Sequence, residues 1–197
     1  MSGEHTGCTD SDDTTYVVCE DEDGTDVIRY FFRGYIDDST VSPLIETFYY
    51  WDGHYPGSRW EIDINSPGGE IFPSIAVFGA LRRYSQRMGG AHHITTRASG
   101  LAASGGELML QAGDHRVAGL MDAIMIHEPL CSYEDRAVTQ IRDDLARAEE
   151  WTRRLAKVHA ERSSIDEETF LAKLRLGDWW MYADEALELG FIDEVLP

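Results

Sequence analysis

A serine, a histidine and an aspartate stand out in this chain for the company they keep. Ser104 lies within residues 98–106, a run of small residues almost throughout, which leaves its hydroxyl accessible. Such a serine can attack an acyl carbon once a base takes its proton, and the base needs an orienting group. The same run would equally let a helix pack closely, so two readings stand at this point. Of seven histidines, His127 is the best placed for a base. It ends the apolar stretch Ala123–Ile126, and a strand's end is a common seat for a catalytic group. A core histidine bonded to backbone would look the same by position. His5 falls in an acidic leader, His54 in a Gly/Pro loop, and His92 and His93 point to opposite faces of an extended stretch, a poor metal pair. His115 and His159 have charged neighbours and read as surface groups. Asp178 precedes Trp179-Trp180-Met181, apolar company that would desolvate and hold an orienting acid; a turn or helix-cap aspartate is the other reading. Cys131, four residues beyond His127, reads as a buried small hydrophobe.

Two glycine-rich turns, each directly after an extended stretch, complete the chemical inventory: Asn65-Ser66-Pro67-Gly68-Gly69 and residues 98–106. Glycine lets backbone approach a ligand, and free N–H groups at a helix start attract negative charge. Phosphate binding is one use, but neither G-x-x-x-x-G-K-[ST] nor G-x-G-x-x-G occurs and no lysine is near. An oxyanion hole for acyl transfer is the other.

The elements that must position these groups alternate along the chain. Val27–Phe32 reads as a strand, and Ser42-Pro43 as the cap and first turn of a helix to about Tyr50. Trp60, Ile62 and Ile64 alternate with acidic residues, a strand with one apolar face. A helix opens near Pro73 and ends at Gly89-Gly90; His92–Arg97 is extended; Glu107–Gln111 is helical; Ala123–Ile126 is a short strand. From about Glu134 to Arg162 apolar residues recur every three or four positions, a long amphipathic helix. Ser164 with Glu167 predicts a capping box for a shorter helix, then Ala183–Leu189 is helical and Phe191–Leu196 extended. The alternation gives an α/β fold with helix-covered sheets.

Composition narrows the class. The 197 residues carry a net charge of −19, which argues against nucleic acid as the ligand. No apolar run is long enough to span a bilayer, and MSGEHTGCTD lacks the basic and apolar regions of a secretory leader, so no membrane association and a cytoplasmic location are expected. Cys8, Cys19 and Cys131 are too few and dispersed for a disulfide framework or a zinc site; a reducing compartment and no metal or cofactor are expected. Residues 1–26 hold nine of the 36 acidic residues and no Lys or Arg. That segment reads as a mobile, disordered tail with a short strand at Tyr16–Cys19, ahead of one domain spanning 27–197.

Four segments in order resemble the proteolytic subunit of the Clp protease (ClpP), a serine peptidase family with a crotonase-like fold. They are Ile64-Asn65-Ser66-Pro67-Gly68-Gly69, Gly100-Leu101-Ala102-Ala103-Ser104, Met125-Ile126-His127-Glu128-Pro129, and Asp178 to Asp193 with Ala183, Glu185-Ala186, Gly190 and Ile192-Asp193. The resemblance implies a crotonase-like α/β fold with helix-covered sheets and a protruding handle helix, here residues 134–162. It implies Ser104 as nucleophile, His127 as general base, Asp178 as orienting acid, and the N–H groups of Gly69 and Gly105 as the oxyanion hole. Gly69, Glu70 and Ile71 on one side, with Pro129 and Leu130 on the other, would bind an extended polypeptide substrate. It further implies assembly into a heptameric ring, single or stacked, with copies of itself or with paralogues, and an AAA+ unfoldase as partner. Three positions depart from the family pattern: Gly105 follows the nucleophile where Met is common, Cys131–Asp135 replaces a glycine-rich strand, and Gly177 replaces an arginine before Asp178. A non-catalytic ring subunit, a phage-type head-maturation protease and a crotonase-type acyl-CoA enzyme are the alternatives.

Overall fold

The computed structural model describes residues 16–132 and 134–197. Eight strands form one sheet in the order β1-β2-β3-β4-β5-β8, with β6 pairing β4 and β7 pairing β6. The strands are β1 Tyr16–Glu20, β2 Asp26–Arg33, β3 Arg59–Ser66, β4 Ile94–Ala103, β5 His115–Gly119, β6 Ala123–Ile126, β7 Trp179–Tyr182 and β8 Glu194–Leu196. Their helices are α1 Asp38–His54, α2 Ile71–Tyr84, α3 Gly105–Leu110, α4 Val138–Ala160, α5 Glu167–Leu174 and α6 Ala183–Glu188. The β2–β3–β4–β5–β8 path and the β4–β6 pair are parallel, as helical crossovers require, while β1 and β7 join antiparallel. The α/β class and the order of most elements match the sequence reading.

Two strands place the site. β3 buries Trp60, Ile62, Ile64 and Ser66 on one face and leads straight into Pro67-Gly68-Gly69. β4 is longer than expected, because the small residues from Ala98 to Ala103 continue the strand rather than forming a turn. It pairs first with β5 through Thr95–Ala98 and then with β6 through Leu101–Ala103. Between those pairings Gly100, at φ +93, lets the strand change partner, and its N–H donates to Asp122 Oδ1 at 2.7 Å. The core then forms around Ile28, Phe48, Trp51, Trp60, Ile62, Ile64, Ile94 and their neighbours.

Helix starts differ from the sequence reading, for local reasons. α1 begins at Asp38, not at Pro43, because Asp37 and Thr40 cap it reciprocally: Thr40 N–H donates to Asp37 Oδ1, and Asp37 N–H to Thr40 Oγ1, each at 3.0 Å. α5 is capped by Asp166, which accepts from Thr169 N–H at 2.8 Å; Ser164 instead donates to Leu189 C=O. β5 and β7 are strands to which the sequence reading assigned no element.

α4 buries only one side of its C-terminal half, through Thr152, Ala156 and His159, while Val138 and Leu145 near its start stay exposed. The apolar stripe seen in the sequence therefore serves as core only at one end. Within the acidic segment 1–26, a strand forms where a short one was expected at Tyr16–Cys19: β1 pairs with β2 across a turn at Asp21–Thr25. Residues 1–15 lie outside the described residues, as does Cys8. Cys19 on β1 is disulfide-bonded, against the expectation of reduced cysteines. No helix among the described residues is long and apolar enough to cross a membrane.

Candidate active site

Ser104 is set apart by its backbone. At φ +53 and ψ −118 it occupies a conformation that side-chain-bearing residues seldom adopt, one that costs about 1–3 kcal/mol. The strain is imposed by a tight strand-to-helix junction. Ser104 N–H donates to Met125 C=O at 2.8 Å, prolonging the β4–β6 ladder, while its own carbonyl accepts from Leu108 N–H at 3.0 Å to start α3. The hydroxyl is thereby lifted off the sheet at the head of a helix, half-buried and reachable.

His127 stands one residue beyond the end of β6, the strand next to β4. Its Nε2 lies 2.9 Å from Ser104 Oγ, within reach for proton transfer. β6 pairs β7 in the register Ala123↔Tyr182 to Ile126↔Trp179. His127 and Asp178 each stand one residue beyond the last pair of that ladder, Ile126↔Trp179. Asp178 itself is exposed and makes no hydrogen bond among the described residues. Its apolar sequence neighbours therefore do not desolvate it: Trp179 and Met181 point inward, and Asp178 precedes them at the strand's open end.

The two glycine turns converge on the serine. Gly68, at φ +94, is so close that a side-chain carbon there would lie 2.6 Å from Ser104 Cβ and 2.9 Å from Gly105 N. Ile36 clamps this turn, donating to Gly68 C=O at 2.9 Å and accepting from Glu70 N–H at 2.8 Å. At Gly69 a methyl would fall 2.0 Å from Ile36 O. At Gly105 it would fall 2.1 Å from Ser74 Oγ, so a larger residue there has no room as the fold stands. Among the described residues the N–H groups of Gly69 and Gly105 meet no acceptor.

Ser104 and His127 open into a cavity of about 260 Å³. Its wall is apolar, from Ile71, Ile75 and Phe78 of α2, Leu108 of α3, and Trp151 and Leu155 of α4. Gly69, Ile71 and Pro129, three of the five expected substrate-binding residues, line it; Glu70 faces solvent at the start of α2 and Leu130 is 82% exposed.

Several sequence readings are corrected here. His159 is not a surface group: it is 1% exposed and bridges Glu107, 2.9 Å away, within the same cavity wall. Cys131 is free and exposed, not a buried hydrophobe. Sequence reasoning gave Glu107 a place in a helix but no role at the site, although a carboxylate three residues after the serine, inside an apolar run, was a signal. A second Ser–His–Asp grouping, Ser58, His92 and Asp52, has no catalytic access. Ser58 and His92 are buried, the hydroxyl accepts from Trp60 Nε1 at 3.0 Å, and His92 stacks on the Trp60 ring.

The family described as Clp protease matches residues 26–197. Among curated proteins, the ATP-dependent Clp protease proteolytic subunit of Bacteroides thetaiotaomicron is 31% identical over 171 residues, covering 85% of this chain and 74% of that protein. The subunit so named from Bacteroides fragilis is 31% identical over the same length, with 85% and 79% covered.

Proposed function

Because the chain belongs to the Clp protease family and is a serine-type peptidase of it, we propose that it hydrolyses polypeptides through Ser104, His127 and Asp178. The carrying observation is the 2.9 Å contact between His127 Nε2 and Ser104 Oγ at the mouth of an apolar cavity. His127 takes the hydroxyl proton as Oγ attacks the peptide carbonyl, and the oxyanion that forms accepts from the N–H groups of Gly69 and Gly105. His127 returns the proton to the leaving amine; water then attacks the acyl-serine by the same route. Large apolar side chains before the scissile bond fit the cavity wall. An extended peptide would lie between the backbone at Gly69–Ile71 and that at Pro129–Leu130 as an added strand, so recognition is broad.

Asp178 acts in this reading as the acid that orients His127, supported by its place one register step beyond Ile126↔Trp179. Its exposed, unbonded state is the observation that favours the second reading, a non-catalytic ring subunit. Assembly of copies or paralogues into a ring that encloses the sites, docking of an AAA+ unfoldase and a cytoplasmic location belong to the proposal and rest on family membership. One peptidase domain with an acidic appendage ahead of it is the proposed organisation, supported by a family match that begins at Asp26.

Labelling of the full chain with a fluorophosphonate tests the proposal. The wild type is expected to react and Ser104→Ala to remain unlabelled, with Asp178→Asn slowed roughly 10²–10⁴-fold. A wild-type chain that takes no label, alone or mixed with a paralogue, overturns it in favour of the non-catalytic subunit.

A further inference from the structure

The helix that walls the cavity is joined to the helix that carries the nucleophile through a buried polar pair. His159 lies near the end of α4, and Glu107 sits in the first turn of α3, three residues after Ser104. Each is 1% exposed, and both line the cavity into which Ser104 and His127 open. His159 Nε2 faces the two Glu107 oxygens at 3.1 and 2.9 Å.

The surrounding hydrogen bonds determine which atoms carry protons. Arg116 Nη1 can only donate, and it donates to Gln111 Oε1 at 2.6 Å. That orients the amide, so Gln111 Nε2 donates to Glu107 Oε1 at 2.8 Å and to Phe191 C=O at 3.0 Å. Glu107 is thus met as an acceptor. On the other side of the imidazole, Nδ1 faces Leu155 C=O at 2.7 Å, and a carbonyl can only accept. Nδ1 therefore donates, and a single proton lies between Nε2 and Glu107; the N–H that Glu107 accepts from Gln111 and the raised pKa of His159 favour imidazolium with carboxylate over imidazole with carboxylic acid.

We propose that the His159–Glu107 pair is a positioning device for the substrate pocket, holding the α4 wall against the first turn of the Ser104 helix and so shaping the space for the residue before the scissile bond. The inference rests on the peptidase reading and adds a determinant of substrate affinity to it. If Nε2 loses its proton, its lone pair faces a carboxylate at the same distance and the attraction becomes repulsion. The wall then loosens and substrate binding weakens as pH rises.

Other charges near the ring act in both directions. Burial alone pushes the His159 pKa down, but the charge and hydrogen bond of Glu107 outweigh it and raise the pKa; Arg116 on β5 opposes them. Arg116 is itself paired with Asp193 ahead of β8, and Arg162, just past α4, shares that aspartate. Arg154 and His127 line the same cavity, α5 stacks Phe170 on the ring at 4.5 Å, and Phe191 lies 5.7 Å away.

The experiment pairs kinetics with nitrogen-15 NMR of histidine in the full chain. With a peptide carrying Leu before the cleaved bond, wild-type KM is expected to rise on the alkaline side, with kcat changing less. In His159→Gln, KM should be about tenfold higher at neutral pH, the scale of one lost charge-assisted hydrogen bond, and flat with pH. Glu107→Gln should move the alkaline rise to lower pH. The His159 ring should show both nitrogens protonated at pH 7. Identical alkaline KM profiles in wild type and His159→Gln, or an unprotonated Nε2 at pH 7, would overturn the inference. If neither variant folds, the wild-type NMR titration decides by itself. A wild-type chain that takes no fluorophosphonate label defeats the peptidase reading separately, while the titration still judges the pair.

Discussion

Ser104 holds strain that its neighbours impose, and the strain has a measurable consequence. A non-glycine residue at φ +53 is disfavoured, so Ser104→Gly should be more stable than Ser104→Ala by about 1 kcal/mol. Both variants lose the hydroxyl, so the bond to His127 cancels from that comparison. In a chain of this size the difference corresponds to about 2–4 °C in melting temperature, readable by differential scanning calorimetry. Equal melting temperatures would mean that the junction is not strained. Ser104 and His127 were legible as candidates in the sequence because each interrupts its own kind of company, Ser104 among small residues and His127 at the end of an apolar strand, and the roles proposed for them came from the family resemblance. His159 was misread because Lys157, Glu161 and Arg162 flank it in the chain. Helical spacing carried the better signal: Thr152, Ala156 and His159 are four and three residues apart, and they form the one buried face of α4. Asp178 shows the reverse error, since apolar sequence neighbours on a strand alternate sides and need not bury the residue before them.

Elements come next, and here long-range pairing decided what local pattern could not. β5 and β7 carried no clear period of their own; each is a strand because a neighbour presents an edge to it. The register of β7 against β6, rather than any local motif, leaves Asp178 and His127 each one residue beyond the last pair, Ile126↔Trp179. β8 is a three-residue strand and needs side-chain anchorage. Arg116, 2% exposed, donates from its Nε and Nη2 to Asp193 at 3.0 and 2.7 Å, and Arg162 adds a contact at 3.2 Å. Burial pushes the Asp193 carboxyl up, but the Arg116 hydrogen bonds and charge outweigh it and hold the pKa below the ordinary value. Arg162 is lowered to about 10 by burial and by the nearby Arg116. A carboxyl with a depressed folded-state pKa stabilises above its unfolded pKa of about 3.9, and that contribution fades as pH falls through the folded value. Asp193→Asn should therefore cost about 3 kcal/mol at pH 7, because it leaves Arg116 buried without its counter-charge. In urea unfolding the gap between variant and wild type should narrow as pH is lowered toward 3. A constant gap would mean that the loss is one of packing rather than charge.

For the whole molecule, charge and apolar surface act against each other in the proposed assembly. A chain of net charge −19 repels its own copies, and that repulsion is long-ranged where salt is low. β7 pairs on one side only among the described residues, and its outward residues are Trp180 and Tyr182, 53% and 60% exposed. An edge strand carrying large apolar side chains invites another chain to cover it. The attraction is short-ranged and hydrophobic, whereas the opposing charge is screened within about 10 Å at 0.1 M salt and about 3 Å at 1 M. Self-assembly should accordingly grow with added salt, the reverse of what an interface built on ion pairs would show. Trp180→Glu adds a like charge to the edge and removes its largest apolar group. Since the tryptophan is half exposed, the variant should fold as the wild type does and yet remain monomeric across the range. Native mass spectrometry and light scattering between roughly 0.05 and 1 M salt, the span over which screening changes most, would read both trends. A wild type that dissociates as salt rises, or a Trp180→Glu chain that assembles like the wild type, would rule out β7 as the self-associating edge.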